Sequence, residues 1–301
     1  MNYYNEIKNK LIDNEVYKKV KDYSKNRNDL STYYEVGKLL IKAQGGEERA
    51  KYGDNLIKEY SERLFNDIGR KYNITALKRI RQFYLVVEKG VPLAHQLTWS
   101  HYCELLPLKD INEINYYVKI TIEQCLSKRQ LRERIRNKEY QRLEDKTKLK
   151  LINKEEIDIK DNIKNPIIIK NKLDIDKEIV SEKILQRLIL EDIPSFLEEL
   201  GTGYSFIRNE YKIKIGDTYN YIDLLLFNIK YNCYVVVELK VTELKKEHIG
   251  QIQIYMNYID KHIKTINQDK TIGLIICKKD NKYVIEYSSD KRILSREYEL
   301  I

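Results

Sequence analysis

In the first half of the chain, apolar residues recur at intervals of three and four, the spacing that forms one face of an α-helix. The segment LSTYYEVGKLLIKAQ shows this spacing at Tyr33, Val36 and Leu40. Two more amphipathic stretches follow, ALKRIRQFYLVVEKG and SKRQLRERIRNKEYQRL, and Thr75 is placed to cap the first of them. Since none of these stretches alternates in the way a strand does, the pattern predicts an all-α domain over residues 1–145.

The second half changes pattern at intervals of 10 to 20 residues. A helical segment ends at Gly201, where a C-terminal glycine is expected. Short apolar or alternating runs that are typical of strands then surround one more helical segment. In chain order the segments are EKILQRLILEDIPSFLEELG (helix), SFIRNEYKIKI, YIDLLLF and CYVVVELKV (strands), KKEHIGQIQIYMNYIDKHI (helix), and TIGLIICKK and YVIEYS (strands). The pattern predicts an α/β domain over residues 177–301, a sheet with flanking helices.

Between these two regions lies a stretch rich in Lys, Asn, Asp and Ile, with no stable period and with Pro166 near its middle. Such composition is typical of connecting segments. We predict a linker over residues 146–176, with a short strand at Ile167–Ile169.

Composition narrows the class of protein. An apolar fraction of 42% with 34% charged residues suits a globular chain. No apolar run approaches the roughly 20 residues that cross a bilayer, and the N-terminus lacks the apolar core of a signal peptide. The four cysteines are far apart in sequence, which argues against a structural zinc site and against disulfides. A cytoplasmic protein is expected.

The net charge of +9 comes entirely from the first 150 residues. A basic region favours a polyanionic partner, most often nucleic acid, although Lys-rich composition alone also produces basic chains that bind nothing. Two clusters are the candidate phosphate contacts: Lys78, Arg79 and Arg81, and Lys128, Arg129, Arg132, Arg134 and Arg136. The alternative is a solvated helix face stabilised by pairs such as Arg129–Glu133.

Charged residues interrupt two of the apolar strands. Side chains alternate across a strand, so Glu238 and Lys240 lie on one face of CYVVVELKV. Asp223 interrupts YIDLLLF in the same way, and the intervening segment is long enough for the two strands to pair as a hairpin. We therefore expect Asp223 to lie near Glu238. The alternative is a surface ion pair between Glu238 and Lys240, with Asp223 at a strand end.

Two carboxylates and a lysine suit phosphodiester hydrolysis. Mg²⁺ takes one or two carboxylates together with waters and phosphate oxygens, and it makes a bound water more acidic. Asp223 and Glu238 are the candidate ligands of Mg²⁺ or Mn²⁺. Lys240 is the candidate group that positions the nucleophile and offsets negative charge in the transition state.

The motifs FLEELGTGYSFIRNEYKI, YIDLLLF, CYVVVELKV, HIGQIQIYMNYID and IGLIIC resemble the YhcG-like group of PD-(D/E)xK nucleases. The resemblance implies a restriction-endonuclease-like fold, a mixed sheet flanked by helices. It also implies a third metal carboxylate from a preceding helix, which Glu191 matches, and a catalytic glutamine followed by tyrosine, which Gln251 and Tyr255 match. The helical segments of the first half resemble the domain that precedes the nuclease in this group. The first carboxylate here follows Ile222 rather than proline, a departure that the group tolerates.

The sequence therefore predicts a Mg²⁺-dependent endonuclease acting on DNA, with RNA left open as substrate. Because many proteins of this fold cut both strands as dimers, a homodimer is also left open. One alternative is a catalytically silent nucleic-acid-binding or assembly protein that keeps the fold. Another is an interaction protein built on the helical half.

Overall fold

The computed structural model describes residues 3–20, 25–46 and 54–301, and the chain divides into two compact units, Met1–Tyr140 and Gln141–Ile301. In the first unit the described residues form helices and turns, and the second unit is built on a six-stranded sheet. The predicted fold class, a helical region followed by an α/β domain, is confirmed.

The first unit is held together by its amphipathic helices: α1 Tyr3–Val20, α2 Lys25–Ala43, α3 Asp54–Ile68, α4 Ile74–Glu88, α5 Trp99–Leu105, α6 Ile111–Glu123 and α7 Lys128–Arg136. Helices α2 and α4 approach closely at Gly37, where an added Cβ would lie 2.6 Å from the Ile80 carbonyl oxygen. The predicted cap of α4 was wrong. Asn73, not Thr75, accepts the Ala76 N–H, so the helix begins at Ile74. Over the described residues, no helix is both long and apolar enough to cross a membrane.

The second unit begins with a helix and ends with a strand. Its elements are α8 Asp145–Asn153, β1 Ile167–Ile169, α9 Glu182–Glu191, α10 Ile193–Leu200, β2 Tyr204–Ile215, β3 Thr218–Asn228, β4 Cys233–Glu243, α11 Lys246–His262, β5 Asp269–Lys279, α12 Lys282–Glu286 and β6 Ile293–Leu300, with short 3₁₀ turns at Ile159–Asn162 and Lys177–Ile179.

The sheet is mixed, in the order β1-β6-β5-β4-β3-β2. Strands β2, β3 and β4 pair antiparallel, whereas β4, β5, β6 and β1 pair parallel. A parallel β4–β5 pair needs a crossover, and α11 provides it. The apolar run of β5 is buried on both faces of the sheet, as expected for a central parallel strand.

Each face of the sheet has its own apolar core. One contains Val235, Val237 and Leu239 of β4 packed with α9 and α10, and the other contains Val236 packed with α11. Helix α11 lies close to β5 because Gly273 has no side chain. An added Cβ there would lie 2.5 Å from the Met256 sulfur. The core therefore fixes both α9 and α11 against β4.

The predicted linker over 146–176 is part of the second unit. Ile159, Ile163 and Ile167 are buried in the core beneath α9 and α10, and β1 pairs with β6 through Ile167 and Tyr298. The short strand predicted at Ile167–Ile169 is present. Isolated isoleucines in a polar stretch form no periodic pattern, so the sequence does not show that they are buried. Their burial depends on partners from strands that are distant in sequence.

Two predicted elements differ from the structure. The single helix predicted before Gly201 is two helices, because Asp192 ends α9 and caps α10 by accepting the Ser195 N–H. The strand predicted at YVIEYS is instead helix α12, and the sixth strand is Ile293–Leu300. A short apolar run fits either a strand or a helix. Strand β6 is defined by its pairing with β5 and β1, which its own sequence does not show.

Candidate active site

Glu238 lies at the middle of the central strand β4 and Lys240 follows two residues later, and both are nearly buried, with 2% and 8% exposure. Their neighbours Val237 and Leu239 fill the core beneath α9, so alternation directs the two charged side chains away from that core. The Lys240 Nζ lies 3.5 Å from Glu238 Oε2. This pair is not the exposed surface ion pair that the sequence left open.

Asp223 joins this pair where β3 and β4 separate. Their ladder ends at Leu224 and Val237, and beyond it the Asp223 Oδ2 accepts the N–H of Leu239 at 2.8 Å. On the other side, the Gln186 side chain of α9 donates to the Asp223 carbonyl oxygen at 2.9 Å. The structure therefore brings Asp223, Glu238 and Lys240 together.

The two carboxyl groups interact unfavourably with each other and with their surroundings. Burial, followed by the nearby Asp223, raises the pKa of Glu238 to about 8. Burial also raises the pKa of Asp223, although the Leu239 N–H partly opposes this. For Lys240, burial works to lower the pKa, but the carboxylates of Glu238, Glu182 and Asp223 outweigh it and the pKa is raised. The site thus holds a firmly protonated lysine beside an acidic pair that favours an additional positive charge.

The acidic pair fits a divalent cation. Glu238 Oε1 is buried with no hydrogen-bond partner, and a buried carboxylate oxygen without a partner carries an energetic cost that a cation would remove. Within the described parts of the chain, no three His, Cys, Asp or Glu side chains form a metal-binding group. Asp223 and Glu238 therefore offer two carboxylates, a donor set that leaves room for water and phosphate, as is typical of Mg²⁺.

Glu191, predicted as a third metal carboxylate, is not brought to this cluster. It lies at the C-terminal end of α9, half exposed and 4.0 Å from Arg187. The same helix places Glu182 there instead, with its Oε2 3.4 Å from Lys240 Nζ. Ser181 caps α9 by accepting the Ile184 N–H and so starts the helix beside the lysine. Nine residues separate the two glutamates, about 13 Å of helix, so only one of them reaches the site.

Gln251 lies on α11, on the opposite face of the sheet from α9. Its amide donates to the Tyr255 hydroxyl at 3.0 Å, one helical turn further on. Burial raises the pKa of Tyr255, and Glu238 and Asp223 add to the shift. Both carboxylates therefore act on the Tyr255 hydroxyl, and this glutamine–tyrosine pair is the one that the resemblance to PD-(D/E)xK nucleases implied.

The basic residues singled out in the first unit have mixed surroundings. Arg79, Arg129 and Arg136 are exposed, whereas Arg132 forms a two-pronged ion pair with Glu104 at 2.8 and 2.9 Å. Arg134 is buried and pairs with Glu139. The Arg132–Glu104 ion pair joins α7 to α5. Phosphate binding by Lys78, Arg79, Arg81, Arg129, Arg132 and Arg136 stays a prediction.

Comparison with known proteins gives both units a family. Residues 160–301 match the family described as YhcG PDDEXK nuclease domain, and residues 9–142 match the DUF1016 N-terminal domain. The chain therefore carries a YhcG PDDEXK nuclease domain that follows a DUF1016 N-terminal domain. A curated relative, "Putative nuclease YhcG" of Escherichia coli (strain K12), is 26% identical over 310 residues, covering 90% of this chain and 83% of its own.

A solved structure is also similar in part to this chain. The crystal structure of a repair endonuclease from Pyrococcus abyssi matches 40% of this chain and 47% of its own, at 18% identity and a TM-score of 0.29. So low a score supports no conclusion about function. The YhcG nuclease domain itself has the PDDEXK fold, and proteins of this fold generally use divalent metal ions.

Proposed function

We propose that this protein is a Mg²⁺-dependent nuclease that hydrolyses phosphodiester bonds of DNA. The observation that carries the proposal is the convergence of Asp223, Glu238 and Lys240 at the point where β3 and β4 separate. The partnerless Glu238 Oε1 adds a reason for a cation to bind there. The family match supports nuclease chemistry, and the choice of DNA and Mg²⁺ is our inference from the donor set and the basic first unit.

Asp223 and Glu238 would hold the ion, with the Leu239 N–H fixing the orientation of the Asp223 carboxylate. The ion would supply Lewis acidity toward a phosphate oxygen and make a water more acidic. Lys240, whose pKa is raised by its carboxylate neighbours, stays protonated at neutral pH. Its ammonium group can therefore orient the attacking water and offset the charge that develops on the phosphoryl oxygens.

Two residues would support this centre. Glu182 and Glu238 contact the Lys240 ammonium from two sides, at 3.4 and 3.5 Å, and so restrict its position. Gln251, anchored by the Tyr255 hydroxyl beside the acidic pair, is proposed to orient water or phosphate from the α11 side.

The first unit is proposed to bind DNA through its exposed arginines. Arg129 and Arg136 are the strongest candidates, since both are exposed and Arg132 already pairs with Glu104. Phosphate contacts of this kind carry no sequence information, and they make affinity depend on salt. Pairing of two copies for double-strand cutting is a further part of the proposal.

A direct test incubates the purified chain with supercoiled, linear and single-stranded DNA and with RNA, in Mg²⁺, Mn²⁺ or EDTA. We expect DNA to be cut with Mg²⁺ or Mn²⁺, cutting to stop in EDTA, and excess Mg²⁺ to restore it. Cleavage that persists at the same rate in EDTA would overturn the metal role. Failure to cut any of these substrates with either ion would overturn the nuclease proposal itself.

The roles of Glu182 and Glu191 can be separated on one helix. We expect Glu182→Gln to slow cleavage by about 10-fold, because groups that orient a catalytic side chain typically have effects of this size. Glu191→Gln should cleave at the parental rate, because Glu191 lies at the opposite end of α9 from the residue that contacts Lys240. Rates are compared on the same plasmid under saturating Mg²⁺. Equal losses in both variants, or a loss in Glu191→Gln alone, would contradict the placement of Glu182.

A further inference from the structure

The β2–β3 hairpin continues beyond the active site as a two-stranded arm with one exposed face. Lys212 pairs with Tyr221 across the strands, and Lys214 pairs with Tyr219. All four side chains are exposed, the two tyrosines by 52% and 54%. We call these four residues the hairpin ledge.

The ledge is held in place by its opposite face. Ile213 of β2 and Ile222 of β3 are buried in the core that packs against α11. Because alternate side chains point to opposite faces of a strand, burial of these isoleucines turns the lysines and tyrosines of the ledge outward. The ledge is thus a fixed surface and not a loose loop.

The ledge continues β3 from the point where β3 and β4 separate, so it is close to the active site along the strand. Tyr221 is two residues from Asp223, about 7 Å along an extended strand, and Tyr219 is four residues away, about 14 Å. A nucleotide chain with one phosphate at Asp223 could therefore place the next one or two nucleotides over the tyrosine rings.

The chemistry of the ledge combines aromatic faces with positive charge. The Lys212 Nζ lies 3.8 Å from the centre of the Tyr219 ring, and the Lys214 Nζ lies 6.0 Å from it. Exposed aromatic rings that alternate with lysines are the means by which proteins hold unpaired nucleic acid, with bases stacking on the rings and phosphates near the ammonium groups. A duplex keeps its base faces inside the stack, so it cannot use such rings.

A second copy of the chain is the other candidate partner, because β2 is the edge of the sheet. Its ladder is interrupted by a register shift between Phe206 and Arg208 and by the left-handed backbone of Glu210, with φ of 46°. Together with exposed lysines, such interruptions discourage pairing with another edge strand. These features favour nucleic acid over self-association.

We propose that the hairpin ledge binds an unpaired stretch of nucleic acid next to the scissile phosphate, which makes single-stranded or frayed DNA the preferred substrate of the site. This inference rests on the proposed nuclease function for the position of the phosphate. Binding of the unpaired strand itself does not require cleavage.

The test measures binding in the full-length Lys240→Met protein, so that the probe is not cut. The probes are a fluorescent oligothymidine and a duplex of equal length. We expect Tyr219→Ala/Tyr221→Ala to weaken oligothymidine binding by on the order of 10- to 100-fold and to change duplex binding little. Tyr219→Phe/Tyr221→Phe should retain parental affinity, because it keeps both rings. The matched control is Tyr283→Ala/Tyr287→Ala, which removes two tyrosines that are 73% and 83% exposed elsewhere in the same unit.

Tyr219→Leu/Tyr221→Leu tests whether the alanine variant loses affinity only because its hairpin is less stable. Leucine keeps an apolar side chain without a ring, so this variant should bind oligothymidine as poorly as the alanine variant while its thermal unfolding matches the parent. Parental affinity in the leucine variant, or equal losses for duplex and oligothymidine, would overturn the proposal. So would a change in oligomeric state with unchanged oligothymidine affinity.

If the parent chain cuts DNA yet the tyrosine variants bind normally, the ledge proposal fails and the nuclease proposal stands. If the parent chain cuts nothing and the tyrosine variants still bind oligothymidine less tightly, the nuclease proposal fails and the ledge proposal stands.

Discussion

Lys240→Met is expected to slow DNA cleavage by on the order of 10²–10³-fold, the range that loss of one group stabilising transition-state charge typically produces. Methionine is close to lysine in length and keeps the apolar stem, so the packing of β4 should survive. What disappears is the ammonium between Glu182 and Glu238. The measurement is the single-turnover cleavage rate on a labelled substrate with saturating Mg²⁺, which separates chemistry from product release.

Lys279→Met is the matched control for this prediction. Lys279 lies on the neighbouring strand β5, but its side chain is 70% exposed and pairs with the half-exposed carboxylate of Glu243. We expect that variant to cleave at the parental rate with parental DNA affinity. A Lys240→Met rate within a few-fold of the parent would remove Lys240 from the chemistry and leave it as a structural partner of Glu238.

Glu238→Gln is expected to stabilise the metal-free second unit at alkaline pH. The pKa of Glu238 is raised from 4.5 to about 8, so between these values the folded state keeps a proton that the unfolded chain releases. Stability therefore falls as pH rises through this window. The full shift corresponds to about 5 kcal/mol. Glutamine cannot ionise, so the variant should match the parent near pH 5 and exceed it increasingly toward pH 8.

Hydrogen exchange of β4 and β5 peptides in EDTA, at several pH values and corrected for intrinsic rates, measures this difference in unfolding free energy. Glu299→Gln is the control, because Glu299 is an exposed carboxylate on β6 of the same unit. The single tryptophan, Trp99, packs on Phe83 in the first unit, so its fluorescence shows whether that unit is unaffected. A difference between Glu238→Gln and the parent that stays constant from pH 5 to pH 8 would contradict the raised pKa.

The alternating pattern of β3 and β4 was sufficient to single out the residues of the candidate site. Charged residues inside apolar strands are costly, which singled out Asp223, Glu238 and Lys240 before any pairing was known. The same reasoning predicted the hairpin, because the segment between the two strands is long enough for the chain to turn back. The Gln251–Tyr255 pair came instead from the resemblance to PD-(D/E)xK nucleases, whose motif is also local in sequence. These inferences depend on neighbours in sequence, and local pattern describes such neighbours well.

The third carboxylate is a residue that the local sequence pattern did not identify. Glu182 and Glu191 both lie on α9, and the spacing of apolar residues does not say which end of a helix approaches the sheet. That choice was made by the Ser181 cap and by the contact of Gln186 with the Asp223 backbone. Asp192 was a sequence signal that α9 ends there, because an Asp shortly before a proline is typical of the start of a new helix.

Strand β6 and the segment 146–176 show the same limit on a larger scale. Ile159 and Ile163 look like scattered residues of a polar linker until the strands of the sheet bury them. Strand β6 carries polar residues and becomes a strand through its parallel partners β5 and β1. By itself the sequence singled out the candidate side chains for the chemistry, because a buried charge conflicts with its own strand. Only the tertiary structure decided which helix end, linker residues and final strand complete the unit, because those depend on partners far away along the chain.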